Sequence, residues 1–361
     1  MKRFDMGSGS TTVTIGDVAR SAGVAKSTAS AALNGKEGKY GVSAEKREAV
    51  LLAAQRLGFE VNPHAQRLAN GRCDTSISIV TPTMDLGVGT SKITAIQQLL
   101  LERGYDVSVH SYSLKQREEA TAQATLMNQL RRQKPRAIIC CTTSMQEDAT
   151  LELKRYIDEG GIAVCYDQAQ GYDAEIGCDR VVFDRAGNSY QAAKHLLELG
   201  HRKLGLFVNG VHTPGGERME GFQKALKQYG GYTRDEWYFS GTFMYEEGGR
   251  SMAKQFLKLK ERPTAICVVN DNAALAFIAE VQNAGIRVPQ DVSVIGHDNL
   301  SFVPFGAVPL TAMSHPVKEI AHYVGNLLLD RAEGGYNGAI RQVILQGTLV
   351  VRQSTAPPQT A

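Results

Sequence analysis

No stretch of these 361 residues is apolar for the length that a membrane-crossing helix needs. The first ten residues, MKRFDMGSGS, lack the apolar middle of a secretion signal and read as a flexible leader, set aside from the fold. Cysteine is sparse and unpatterned: Cys73, Cys140, Cys141, Cys165, Cys178 and Cys267 form no Cys-x-x-Cys, and no His-x-x-x-His accompanies them. Most of the six sit in apolar, strand-like runs, where cysteine is a small buried hydrophobe. That argues against a zinc site and favours a reducing cytoplasm. No Ser/His/Asp or Cys/His set occurs in a coherent order, and Ser43-x-x-Lys46 is a short chance match. Gly87-Val88-Gly89-Thr90-Ser91-Lys92 half-imitates a phosphate loop but lacks its full spacing. We expect no enzyme, no metal and no cofactor.

What is present begins at Val13. Apolar residues recur at Ile15, Val18, Ala19 and Ala22, the stripe of a short amphipathic helix. Thr14 precedes it as N-cap, with Asp17 standing in for the capping-box acid. Gly23 supplies a tight turn, and a second helix is expected over 25–33, stopping at Asn34-Gly35. Two short helices about a glycine turn make a helix-turn-helix. The second helix presents Lys26, Ser27, Thr28 and Ser30 among alanines, slim and polar as a major groove requires. Ser43 caps a third helix, 44–57, ended by Gly58, with Val50, Ala54 and Leu57 facing the other two.

The segment Asn62-Pro63-His64-Ala65-Gln66-Arg67-Leu68 is too short and polar to hold a helix alone in water. Docked on DNA beside a partner's copy, it could fold and insert Leu68 between base pairs. Charge supports a nucleic-acid role. Residues 1–72 hold 11 Lys/Arg against 6 Asp/Glu, whereas the remainder holds 29 against 31.

The strings T-I-G-D-V-A-R-S-A-G-V-A-K-S-T-A-S-A-A-L-N-G and A-Q-R-L-A resemble the LacI/GalR family of bacterial transcription repressors. So do A-A-K-H-L-L-E-L-G-H-R-K, R-M-E-G-F-Q-K-A-L and A-G-I-R-V-P-Q-D-V-S-V-I-G-H-D-N further on. The resemblance runs from about Thr11 to the end. It implies base-reading positions at Lys26, Ser27 and Ala31, and a hinge-helix wedge at Leu68. Where many relatives carry a long polar or basic side chain, Ala31 offers only a methyl. Candidate DNA contacts are thus Thr14, Lys26, Ser27, Thr28, Ser30, Ala31, Asn34, His64, Ala65, Arg67 and Leu68.

From Thr75 strand-like and helix-like runs alternate, which implies parallel sheets covered on both faces. The rhythm restarts near Val181, giving two α/β lobes without a clear sequence repeat. The fold class expected is α/β: a two-lobed, periplasmic-binding-protein-like core of two Rossmann-like subdomains, behind an all-α helix-turn-helix headpiece. The family's core crosses between lobes near Asp173, Met313–Pro316 and Leu345. The expected divisions are a leader (1–10), a headpiece (11–61), a hinge helix and linker (62–73), an N-lobe (74–174 with 316–344), a C-lobe (175–315 with 345–355) and a tail (356–361).

Ligands of open α/β sheets sit beyond the carboxyl ends of the strands. Arg218, Asn270 and Asp298 fall there, a set able to donate and accept at neighbouring hydroxyls. The resemblance places these three at effector contacts, Phe243 at an aromatic platform and His315 at a lobe crossing. Asp271 reads as the cap of the following helix. The loop 83–92 departs from the family and reads as a permissive cover over the cleft, with Asp85 a polar contact. The expectation is a cytoplasmic, homodimeric repressor that binds a pseudo-palindromic DNA operator and a small-molecule effector, most simply a sugar. A solute-binding protein, or a regulator sensing a nucleobase or phosphorylated metabolite, is the alternative. The first would lack the headpiece and carry a secretion signal.

Overall fold

A computed structural model describes residues 13–34, 41–59, 73–82, 87–112, 119–141, 145–168, 176–209, 215–241 and 245–359. The expectations for Asp85, Phe243, His64, Ala65, Arg67 and Leu68 lie outside the described residues. The chain divides into two compact units, Met1–Asp74 and Thr75–Ala361.

The first unit holds helices α1 (Ile15–Ser21), α2 (Lys26–Leu33) and α3 (Ala44–Leu57). The Asp17 carboxylate accepts from both the Thr14 backbone N–H (2.8 Å) and the Thr14 hydroxyl (2.6 Å), closing the start of α1. Those bonds, the Thr14 hydroxyl first, hold the Asp17 carboxyl down at about 2. Ser43 caps α3 by accepting from the Lys46 N–H, and α3 ends on Gly58 in the left-handed region. The core is mostly alanine: Val18, Ala19, Ala29, Ala32, Val50, Ala53 and Ala54. Small side chains let the three helices approach closely. One expectation fails here. Leu57 is 37% exposed, while Ala53 is fully buried and Phe59, just past the helix, packs against the cluster.

The second unit contains two six-stranded sheets. The first is built from β1 (Cys73–Pro82), β2 (Asp106–Tyr112), β3 (Pro135–Cys141), β4 (Ile162–Gln168), β5 (Asp179–Phe183) and β11 (Gln342–Leu345), in the order β11-β5-β4-β3-β1-β2. The second is built from β6 (Leu204–Asn209), β7 (Tyr238–Gly241), β8 (Ala265–Val268), β9 (Ser293–Gly296), β10 (Thr311–Met313) and β12 (Leu349–Val350), in the order β12-β10-β9-β8-β6-β7. β12 runs antiparallel to β10. Helices α4 (Val88–Glu102), α5 (Glu119–Gln133), α6 (Glu147–Asp158) and α11 (Val317–Ala332) cover the first sheet. Helices α7 (Arg185–Glu198), α8 (Gly215–Tyr229), α9 (Tyr245–Lys258) and α10 (Asp271–Asn283) cover the second.

Inner strands such as β3 and β8 read as nearly unbroken apolar runs because both of their faces are buried. Along β3, Ala137, Ile139 and Cys141 join Ile96 and Leu100 of α4 and Val324 and Leu328 of α11. Ile138 and Cys140 point the other way, onto Leu130 of α5 and Leu153 of α6. In β8, Ile266 and Val268 face α9 and α10, and Ala265 and Cys267 face α7 and α8. The described cysteines 140, 141, 165, 178 and 267 are free and buried.

A further expectation is corrected. The first lobe crossing is not near Asp173. Residues 179–183 pair in parallel with β4 as β5, so the chain leaves the first lobe only after Phe183. β7 begins only at Tyr238, since Trp237 closes a 3-10 turn over Asp235–Trp237. Its indole N–H donates to the Glu261 carbonyl, which fixes the ring in the core.

The three crossings lie side by side. Asp184 accepts from the Gly187 N–H (2.7 Å) and the Gln346 amide (2.7 Å). Gly347 N–H donates to the Asn188 side chain (2.8 Å), and Ser314 N–H donates to the Thr348 carbonyl (2.7 Å). Each segment is therefore held by another rather than left as a free linker.

At the far edge of the first sheet, Asp179 is fully buried and bonded to Arg331 (2.7 and 2.9 Å) and to Arg341 through both side chain and backbone N–H. Burial pushes this carboxyl up, but the hydrogen bonds from Arg331 and Arg341 outweigh it and hold it below its ordinary value of 3.8. A depressed carboxyl stabilises the fold above the unfolded value and loses that contribution as pH falls through the folded one. Asp179→Ala should therefore destabilise the core by about 3 kcal/mol at pH 7, since it strands two guanidinium groups. Urea unfolding of wild type and variant should show the gap closing on acidification below about pH 4. A gap that stays constant into acid would contradict the assignment.

Candidate effector cleft

The carboxyl ends of the two sheets converge on one polar cluster. From the first lobe come Lys92 in α4, Asp167 near the end of β4 and Phe183 at the end of β5. Lys92 and Asp167 form a buried, two-point ion pair, Nζ to Oδ1 2.8 Å and to Oδ2 2.6 Å. The Lys92 ammonium also lies 5.5 Å from the centre of the Phe183 ring. The stretch 87–92 is therefore not the permissive loop expected. Val88 onward is helical, and Lys92 is 1% exposed.

From the second lobe come Arg185, Glu217, Arg218, His297, Asp298 and, at the second crossing, His315. Arg185 reaches back to the Asp167 carbonyl (2.7 Å) and pairs with Glu217 at 3.7 Å. Its neighbour on α8 is set by Gly221, where any Cβ would strike the Ala186 carbonyl at 1.9 Å. Only glycine lets the first turns of α7 and α8 press together and bring Arg185 and Arg218 to the same place.

Arg218 is half-buried as a residue, but its Nε is closed to solvent and bonds to nothing among the described residues. Burial, and then the charge of Arg185, pull its protonation down to about 10, against the attraction of Asp298, Glu217 and Asp167. Asp298 is raised well above its ordinary range by burial and by the neighbouring Asp271 carboxylate, and Asp271 is raised by burial. The two share a tight network: Asp298 accepts from the Asp271 N–H, while Asp271 accepts from the N–H groups of Asp298 and Leu300.

His315 stacks on Phe183, ring centres 3.9 Å apart, and its Nε2 lies 3.5 Å from Asp298. Its side chain is 7% exposed and its Nδ1 has no partner among the described residues. His297 is 4% exposed and donates from Nδ1 to the Val268 carbonyl at 2.9 Å, leaving Nε2 a bare acceptor without a partner there. Both imidazoles are held neutral: His297 falls to about 3 through burial and then Arg218, and His315 falls through burial and then Lys92, Arg218 and Arg185.

Of the expected effector residues, the structure brings Arg218, Asp298 and His315 together. Asn270 has a different role in view: its side chain caps α10 by accepting from the Ala273 N–H (2.8 Å). The cap expected at Asp271 thus belongs to Asn270, and Asp271 instead ties down the turn after β9. Lys92, Asp167, Phe183, Arg185, Glu217 and His297 were missed by sequence reasoning. A signal existed for two of them, because Asp167 follows directly on the apolar run 162–166 and Arg185 comes two residues after the run 181–183.

In the headpiece, Lys26 and Ser27 are exposed at the start of α2, and Thr28, Ser30 and Asn34 are half-buried. Asn34 donates to the Ser30 carbonyl (2.7 Å) and hydroxyl (3.3 Å), closing its own helix. Thr14 is exposed, whereas Ala31 is 5% exposed, so its methyl is largely covered instead of presented.

A helix-turn-helix unit joined to a two-lobed core with a polar cleft is the build of a DNA-binding transcriptional regulator with a receptor domain. Residues 14–62 match the model of bacterial regulatory proteins of the lacI family, and residues 193–355 match that of the periplasmic binding protein-like domain. The HTH-type transcriptional regulator DegA of Bacillus subtilis is 30% identical over 348 residues, 96% of this chain and 99% of its own length. The HTH-type transcriptional repressor PurR of Photobacterium profundum is 27% identical over 94% of this chain and 98% of its own length. The chain belongs to the LacI family. Its fold is that of the Lac repressor dimer bound to operator and the anti-inducer ONPF (TM-score 0.79, 24% identity, 95% of this chain and 99% of that one). It also matches the transcriptional regulator CelR–cellobiose complex (TM-score 0.69, 24% identity, the same coverage).

A charge buried without a partner costs several kcal/mol. Arg218→Met, which keeps the stem and removes the charge, should raise the stability of the unliganded core by roughly 1–4 kcal/mol. Denaturant unfolding measures this directly. A variant less stable than wild type would mean that Arg218 is held by bonds that outweigh its burial.

Proposed function

We propose that this protein is a cytoplasmic repressor that binds a pseudo-palindromic operator as a homodimer and releases or tightens its grip when a small polar molecule, a sugar or sugar derivative, occupies the cleft. It performs no catalysis. The observation that carries the DNA-binding half is the first turn of α2. Lys26 and Ser27 stand exposed there, on a helix slim enough for a major groove, above a core of alanines. The relatives support it, being named as transcriptional regulators and repressors along nearly their whole length. Among the described residues no helix is long and apolar enough to cross a membrane.

In this reading Lys26, Ser27 and Thr28 contact bases and phosphates, with Thr14, Ser30 and Asn34 around them. Ala31 contributes a methyl at most. His64, Ala65, Arg67 and Leu68 form the hinge contacts, Leu68 being the wedge. Asp85 and Phe243 remain candidates for the rim of the cleft, with Arg218, Asp298 and His315 at its floor and Asn270 at its edge. The sugar reading draws on the relatives: CelR is described in complex with cellobiose, and a LacI family regulator of Enterococcus faecium with bound ribose. An effector acts only through a difference in its affinity for the two states, and operator and effector must shift each other equally.

Fragments selected from genomic DNA by the full chain should yield a two-fold symmetric site, bound far more tightly than random duplex and with steep salt dependence. On that site Lys26→Ala should cost about 1–3 kcal/mol. Leu68→Ala should weaken specific binding while leaving the melting of the core unchanged. Equal affinity for selected and random duplex would end the reading.

A further inference from the structure

We infer that the effector is a small acid, one carboxylate on a hydroxyl-bearing body, as in a sugar acid, with the carboxylate seated against Arg218. This rests on the receptor reading above and narrows it. Three basic side chains reach the cleft from the opening turns of three helices: Lys92 is the fifth residue of α4, Arg185 the first of α7 and Arg218 the fourth of α8. Helix N-termini add positive partial charge of their own, so these are costly places for cations unless an anion is near. Two of the three have one. Lys92 is matched by Asp167 at 2.6 Å and Arg185 by Glu217 at 3.7 Å. Arg218 has no carboxylate within 4.0 Å among the described residues, and its Nε bonds to nothing there.

The other acids nearby do not fill that role. Asp298 is driven toward its neutral form by burial and by the Asp271 carboxylate, and lies against His315 instead, while the Asp271 oxygens accept from the N–H groups of Asp298 and Leu300. Both imidazoles are neutral. Of the three cations, Arg218 is thus the one without a paired carboxylate among the described residues. A neutral sugar would leave the Arg218 charge without a partner, and a dianionic phosphate would bring one charge more than a single guanidinium matches. Arginine suits a carboxylate in particular, since its planar donors match both oxygens. The remaining chemistry asks for hydroxyls. His297 Nε2 is a buried bare acceptor, which needs a donor, and His315 Nδ1 is likewise unpartnered.

The test is calorimetric titration of the full-length protein, at constant ionic strength, with matched sets: glucose, glucuronate and glucose 6-phosphate, then galactose, galacturonate and galactose 6-phosphate. We expect a uronate to bind at least tenfold more tightly than its neutral parent and than the corresponding phosphate. Arg218→Gln should erase that preference, and Arg218→Lys, which keeps the charge, should retain part of it. A neutral hexose that binds as tightly as its acid, a phosphate that binds more tightly, or no binding by any acid overturns the inference. A neutral sugar that binds and shifts operator affinity would leave the repressor reading standing, whereas a protein indifferent to DNA sequence removes that reading whatever the cleft prefers.

Discussion

A parallel sheet covered by helices on both faces has no place for charge except at the ends of its strands. That constraint shapes the whole core. Along β3, β8 and β9 the buried side chains are apolar or small, and each strand serves two clusters at once. Apart from Glu152 on α6 and His201, the buried charged groups among the described residues collect at two places: the edge where Asp179 meets Arg331 and Arg341, and the carboxyl ends where Lys92, Asp167 and Arg185 gather with Arg218. The first is closed and satisfied on every side. The second is not, and that contrast separates a structural network from a receptive one.

The cleft cluster is also a connection between lobes. Phe183 ends the first sheet and His315 follows a strand of the second, yet their rings stack. Arg185 holds the Asp167 carbonyl of one lobe and Glu217 of the other. Any change in the angle between lobes must alter these contacts, while the bonded crossings at Asp184, Ser314 and Gly347 restrict the motions open to the pair. The groups that line the cleft are therefore the same ones that join the two lobes.

Much of this was legible in residue order. Capping at Thr14 and Asp17, the stop at Gly58 and the runs of buried strand are local features, decided by neighbours a few positions away, and local signals suffice for them. The failures have a common cause. Residues 179–183 have the same apolar character whichever sheet they join, and only pairing with β4 decides. Lys92 looked like part of a glycine loop because its partner, Asp167, lies 75 positions away. Asn270 and Asp271 are both able to cap, and the choice between them depends on which one opens α10. Leu57 fits the helical stripe but falls past the end of its partners, a matter of length that periodicity does not encode. Arg218, Asp298 and His315, singled out by position beyond a strand end and by family resemblance, do lie in one polar cluster.

The remaining question is why a fold would keep a guanidinium whose Nε is closed to solvent and bonded to nothing among the described residues. Marginal stability tolerates such a cost when the same feature supplies a difference between two states. In the proposed receptor reading, a ligand that met Arg218 more closely in one arrangement of the lobes would turn that cost into differential affinity for it. A fully paired arginine would bind the same ligand by exchanging one partner for another, with less net gain and a weaker bias. The unmatched charge at Arg218 and the neutral carboxyl and imidazoles beside it are thus better understood together, as a site kept electrostatically incomplete by its own burial.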